Sequence, residues 1–181
     1  MAPTSQDLMC FEGGNALSPF RAAALLRDLK SINPRIHAVS ARHVHWVRGA
    51  GGFDVTLRDK LAALLGYGEP AGPGEGSVVL VMPRLGTVSP WASKATDIAR
   101  NCLGGTGGLA LHRVERVTEF RLGIKAGLLS AGKPLSADER AAVAALLHDR
   151  MTESVAFERE AATHLFDARP AEPLAHVDVL G

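Results

Sequence analysis

The sequence predicts an α+β fold in which a strand–helix–strand–helix unit occurs twice. The units build one mixed or antiparallel sheet, or two packed sheets, covered by helices. Three observations carry this reading. Short β-type segments take turns with segments whose apolar residues recur at helical spacing. Ser18-Pro19-Phe20 returns as Ser89-Pro90-Trp91, and Leu61-Ala62-Ala63-Leu64-Leu65 returns as Val143-Ala144-Ala145-Leu146-Leu147. Between the halves, residues 66–76 carry five glycines and two prolines, which oppose both helix and strand.

Each element follows from local chemistry. Asp7-Leu8-Met9-Cys10-Phe11 is a short apolar stretch that ends at Gly13-Gly14, as a strand before a turn does. Ser18 supplies an acceptor for a free helix N–H, and Pro19 at the first helical position lacks the donor that would go unsatisfied. Phe20, Ala23, Leu26 and Leu29 continue that helix until Asn33-Pro34 stops it. Residues 35–48 alternate, with His43 and His45 on the parity opposite to Val44 and Trp46, which predicts a half-buried strand. Thr56 is positioned to cap a helix bearing Leu57, Leu61, Leu64 and Leu65, closed by Gly66. In the second half, Ser77–Met82 reads as a buried strand, and a helix opens at Ser89-Pro90-Trp91 and runs to about Asn101. Gly104–Gly108 is a turn, Leu111–Ile124 a long alternating strand, and Ser136 with Glu139 a capping box before the Val143 face. A last helix is expected over Glu153–Phe166, with Pro170 and Pro173 marking an extended tail. The offset between halves grows from 71 residues at the first helix starts to 82 at the second helices; the 104–108 turn and a longer strand absorb it.

Composition narrows the function classes. With 181 residues and 46% hydrophobic content, the chain is not disordered, and 20 Lys+Arg against 19 Asp+Glu leave no general footprint for nucleic acid. Two cysteines are too few for a disulfide scaffold or a four-thiolate zinc site. No apolar run reaches the ~20 residues that span a bilayer, and the N-terminus lacks the pattern of a signal peptide. A soluble cytoplasmic protein is expected, without nucleic-acid or membrane partners.

Several short patterns are weak. Gly105-x-Gly107-x-x-Ala110 has the letters of a dinucleotide fingerprint, but its order is helix, turn, strand rather than strand, turn, helix. His43 and His45 are a two-residue pair without further ligands at metal spacing, and read as surface or interface histidines. Cys10 in an apolar strand and Cys102 at a helix end read as buried or inert thiols. The strongest segment leaves a buried strand, turns at Gly86 and enters a helix. Arg84, Thr87, Ser89, Trp91, Ser93, Lys94, Thr96 and Asp97 crowd this span, and Arg84 and Lys94 add charge where free N–H groups favour anions. The bland reading is a capped helix with a Lys94–Asp97 surface pair worth under ~1 kcal/mol.

Arg84-Leu85-Gly86-Thr87-Val88-Ser89-Pro90-Trp91-Ala92-Ser93-Lys94-Ala95-Thr96-Asp97-Ile98-Ala99-Arg100-Asn101-Cys102 resembles a signature of phosphoribosylformylglycinamidine synthase in its large, single-chain form. Ala16–Arg21, Val44-His45-Trp46, His112–Arg116 and Leu147–Glu153 resemble further stretches of that family, in order along nearly the whole chain. The resemblance implies a PurS-like N-terminal domain over residues 1–150, with halves at about 7–66 and 77–150, and the start of a helical linker at 151–181. It implies an ATP- and Mg²⁺-dependent glutamine amidotransferase of purine biosynthesis, a ligase. Formylglycinamide ribonucleotide, ATP, glutamine and water become the amidine, ADP, phosphate and glutamate. The glutaminase triad and the nucleotide site belong to later domains, and neither Cys10 nor Cys102 matches the family's nucleophile motif. This segment is then expected to bind no cofactor, to carry no catalytic or metal-binding residue, and to pack against the synthetase and glutaminase domains. Arg84, Thr87, Ser89, Trp91, Ser93, Lys94, Thr96 and Asp97 become the candidate substrate-site or interdomain contacts. The alternative is a stand-alone PurS-like regulatory or small-molecule-binding module.

Overall fold

The computed structural model describes residues 7–72, 74–103, 110–125 and 134–167. The turn at 104–108 and the tail around Pro170 and Pro173 lie outside these residues. In chain order the elements are β1 (Leu8–Asn15), α1 (Pro19–Ile32), β2 (Ile36–Ala50), α2 (Val55–Leu65), β3 (Ser77–Pro83), α3 (Pro90–Leu103), β4 (Ala110–Ile124), α4 (Ala137–Leu147) and β5 (Glu153–Ala156), followed by a 3-10 helix, Arg159–Phe166. The strands form one sheet in the order β1-β2-β4-β3-β5, and every neighbouring pair is antiparallel. The fold is α+β, as expected.

The two halves repeat in length as well as order. α1 and α3 each have 14 residues, β2 and β4 each have 15, and α2 and α4 each have 11. The expected longer second strand is therefore absent, and most of the growing offset falls between β4 and α4, at residues 125–136 against 51–54. β2 and β4 pair at the centre of the sheet, Val44 opposite Val117, so a pseudo-two-fold axis passes between them. All four helices cover one face. Leu57, Leu61 and Leu65 of α2 and Ala99 of α3 pack on Val47 and Val114, while Leu29 and Val143 of α1 and α4 pack on Val79 and Leu122. Alternation sends Val44, Trp46, Leu80, Met82 and Val117 to the other face, where Ala162, Leu165 and Phe166 cover them.

Two local expectations change. The cap of α2 is Asp54, whose side chain accepts from Leu57 N at 2.7 Å, so the helix starts one residue before Thr56. The last helix is shorter than Glu153–Phe166. Glu153–Ala156 pairs with β3 through Pro83 to Leu80, and helical geometry begins only at Arg159. Val155 and Ala156 pack on the two faces of the sheet, a gain in burial that overrides helical spacing. The Ser18 cap and the Ser136–Glu139 capping box form as expected.

The glycine-proline connector is a packed strap. Asn15 N donates to Glu69 O at 2.7 Å. Ala71, Gly72 and Gly74 then line a cavity of about 150 Å³ with Ser40, Arg42, Glu119 and Arg121. Gly76 enters β3 with φ of 110°, and a Cβ there would lie 2.1 Å from Leu122 O, so only glycine fits. Among the described residues no helix is long and apolar enough to cross a membrane.

Candidate functional site

The helix pairs α1/α4 and α2/α3 cover the two ends of the sheet face, and between them a stripe of polar side chains crosses β2 and β4. There, cross-strand partners His43↔Thr118 and His45↔Arg116 share the face of Val47 and Val114. The loop between β3 and α3 closes one side of this stripe. In the first half, two residues separate β1 from the cap Ser18; in the second, five residues, Arg84–Val88, separate β3 from Ser89. The longer loop turns at Gly86, with φ of 84°. It walls a groove of about 470 Å³, to which Arg84, Thr87, Ser89, Trp91, Arg116 and Thr118 contribute, with Met151–Glu153 on the far bank.

The Arg116 guanidinium lies 4.8 Å from the Trp91 ring centre and donates to Tyr67 Oη at 3.3 Å. His45, fully buried, stacks on Trp91 at 5.5 Å and meets Tyr67 Oη at 3.2 Å. Burial, then His43, then Arg116 hold its pKa down to about 4; burial and Arg116 also lower that of half-buried His43. Both rings therefore stay neutral at physiological pH.

Four of the eight sequence-predicted residues meet in the groove: Arg84, Thr87, Ser89 and Trp91. Thr87 ties the loop, donating from Oγ1 to Arg84 O at 2.6 Å. Ser89 Oγ donates to Glu115 Oε2 at 2.9 Å and accepts from Ala92 N at 3.0 Å, capping α3. Thr96 is buried below, where its Oγ1 accepts from Val114 N at 2.9 Å. Ser93, Lys94 and Asp97 lie on the exposed side of α3, outside the groove lining, and Asp97 pairs with Arg100 at 3.5 Å rather than with Lys94.

Thr96 and Arg100 share a structural task. Pairing between β3 and β4 ends at Val81↔Thr118, which leaves the stretch of β4 before Thr118 as an open edge. Thr96 takes the Val114 N–H, and Arg100 donates to Leu111 O and His112 O, each at 3.0 Å. Helix α3 thus stands where a strand would otherwise be needed.

On the opposite face, the buried carboxylates Glu115 and Glu119 meet different surroundings. Burial raises the Glu115 pKa, only partly offset by Ser89 and by Arg113 at 3.6 Å. At Glu119 burial acts in the same sense, but Arg42, Arg159 and Arg121 outweigh it and lower the pKa. Sequence reasoning assigned no role to Arg116, Tyr67 or Thr118. Strand parity was the available signal, since Arg116 and Thr118 share the parity of Val114. The connector carrying Tyr67 gave none. Both cysteines are exposed rather than buried. Among the described residues, no group of three or more His, Cys, Asp or Glu is placed to hold a metal ion, and His43 and His45 gain no further ligand.

A family model described as "Formylglycinamide ribonucleotide amidotransferase N-terminal" matches residues 42–166. The matched stretch starts within β2, ends with the 3-10 helix and contains every groove residue named above.

Proposed function

Because that match covers more than half of it, the chain belongs to the formylglycinamide ribonucleotide amidotransferase, or FGAM synthase, family of purine biosynthesis, and we propose that it acts as the family's N-terminal, non-catalytic module. In this reading the full-length enzyme converts formylglycinamide ribonucleotide, ATP, glutamine and water to the amidine, ADP, phosphate and glutamate. The nucleotide and Mg²⁺ are held by other domains. The module packs against the synthetase and glutaminase domains and helps shape the substrate site and the ammonia route.

The observation that carries this reading is the groove itself. The part of the chain that resembles the family signature is spent on building one open wall, Arg84–Trp91, and on bracing it from below through Ser89, Thr96 and Arg100. A wall braced by buried hydrogen bonds and left open to solvent suits contact with another domain. In the full-length enzyme, Arg84→Ala on the groove wall is expected to weaken domain association by about tenfold, ~1.4 kcal/mol, and to lower turnover. Unchanged association and turnover would refute the docking role. The isolated chain, given glutamine, ATP and substrate, is expected to release no ammonia.

A further inference from the structure

We infer that the groove is an oxyanion subsite for a phosphate group, held between Arg84 and Arg116. The contrast among the arginines of the sheet is the starting point. On the opposite face Arg42 meets Glu12 at 2.6 Å and Glu119 at 2.8 Å, Arg121 meets Glu119 at 3.0 Å, and Arg113 meets Glu115 at 3.6 Å. Arg159 meets Glu12 and Glu119. In the groove, by contrast, neither Arg84 nor Arg116 has a carboxylate within ion-pair distance among the described residues. The lining contains one acid, Glu153, whose Oε2 accepts from Asp149 N at 2.9 Å.

Strand alternation makes this a lasting feature of the fold. Glu115 and Glu119 lie on the parity opposite to Arg116, so the strand that carries the arginine cannot neutralise it. Arg116 is also held in place, its plane against Trp91 and one N–H on Tyr67, which leaves further donors for a ligand. Arg84 approaches from a different element, and Thr118 adds a hydroxyl. Two guanidinia and a hydroxyl, drawn from β4 and from the loop before α3, suit a tetrahedral dianion better than a planar carboxylate, which one guanidinium fork already matches. The groove's 470 Å³ accommodates a phosphate together with the group that bears it.

This goes beyond docking, and its test needs no other domain. Backbone amide NMR shifts of the chain are followed while inorganic phosphate, and separately acetate, is added at constant ionic strength. Phosphate is expected to give saturable shifts centred on Arg84, Trp91 and Arg116, with acetate at least tenfold weaker. Arg84→Gln, an exposed change that leaves the core untouched, and Arg116→Gln should each weaken phosphate by about tenfold or more. Arg121→Gln on the opposite face should leave binding intact. Absence of saturation, shifts spread evenly over basic residues, equal binding of acetate, or full binding by the Arg84→Gln variant would each overturn the assignment. None of these outcomes bears on domain association, so the two proposals fail separately.

Discussion

Two glutamates four residues apart on β4 are both fully buried, yet their pKa values move in opposite directions, because three guanidinia face Glu119 and one faces Glu115. Their effects on stability therefore have opposite signs. Glu119, with a lowered folded pKa, contributes stability above its ordinary pKa that is lost as pH falls through the lowered value. Glu115, with a raised one, costs stability as pH climbs from the ordinary value through the raised one. Ser89 relieves part of that cost, so Ser89→Ala removes both a partner of a buried carboxylate and a helix cap. It is expected to lower stability by about 1–3 kcal/mol at neutral pH, read by urea unfolding. His45 supplies a third pH effect. Its folded pKa of about 4 lies below its ordinary 6.5, so the unfolded chain binds the extra proton between those values. Stability should fall as pH drops through that window, by up to about 3 kcal/mol at ~1.4 per unit. The fall should be smaller in His45→Gln.

Among the elements, those fixed by local chemistry were legible: the Ser18 and Ser136 caps, the Pro34 stop, the alternation of β2 and β4, and the matched halves. What was not legible depends on distant partners. Nothing near Thr96 in sequence reveals that its hydroxyl meets Val114 across the gap left where β3 turns away. The sequence offers Thr96 as a contact for substrate or another domain, whereas the structure gives its hydroxyl a partner at the sheet edge. Thr96→Val keeps the shape and deletes the acceptor. It should cost about 1–3 kcal/mol and speed amide hydrogen exchange at Val114 more than at its helix-side neighbours. Helical spacing misleads at Glu153–Ala156 for a related reason, since only β3's free edge makes that segment a strand. At Gly76, alanine meets both a positive φ and the Leu122 carbonyl, so Gly76→Ala should lower the thermal midpoint and loosen the strap.

For the molecule as a whole, the 3-10 helix decides whether the second sheet face is covered. Leu165 is 1% exposed and packs with Phe166 on the face carrying Val44, Trp46, Leu80, Met82 and Val117. Arg48 donates to Phe166 O at 2.9 Å, and Arg113 donates to Leu165 O and lies over the Phe166 ring. Residues 153–166 are thus integral to the sheet. Leu165→Ala should cost about 2–5 kcal/mol by chemical unfolding.

The unequal loops before α1 and α3 have a consequence for how such a protein can change over generations. Were the two halves separate, identical copies, every substitution in the loop that walls the groove would appear twice, and the assembly would carry two equivalent grooves or none. Joined in one chain, the halves accept mutations independently. The short loop at residues 16–17 is free to serve only as a tie between strand and helix, while Arg84–Val88 adapts to whatever it meets. The groove walled by Arg84–Val88 consequently has no counterpart at residues 16–17, and whatever meets that wall meets it once per chain.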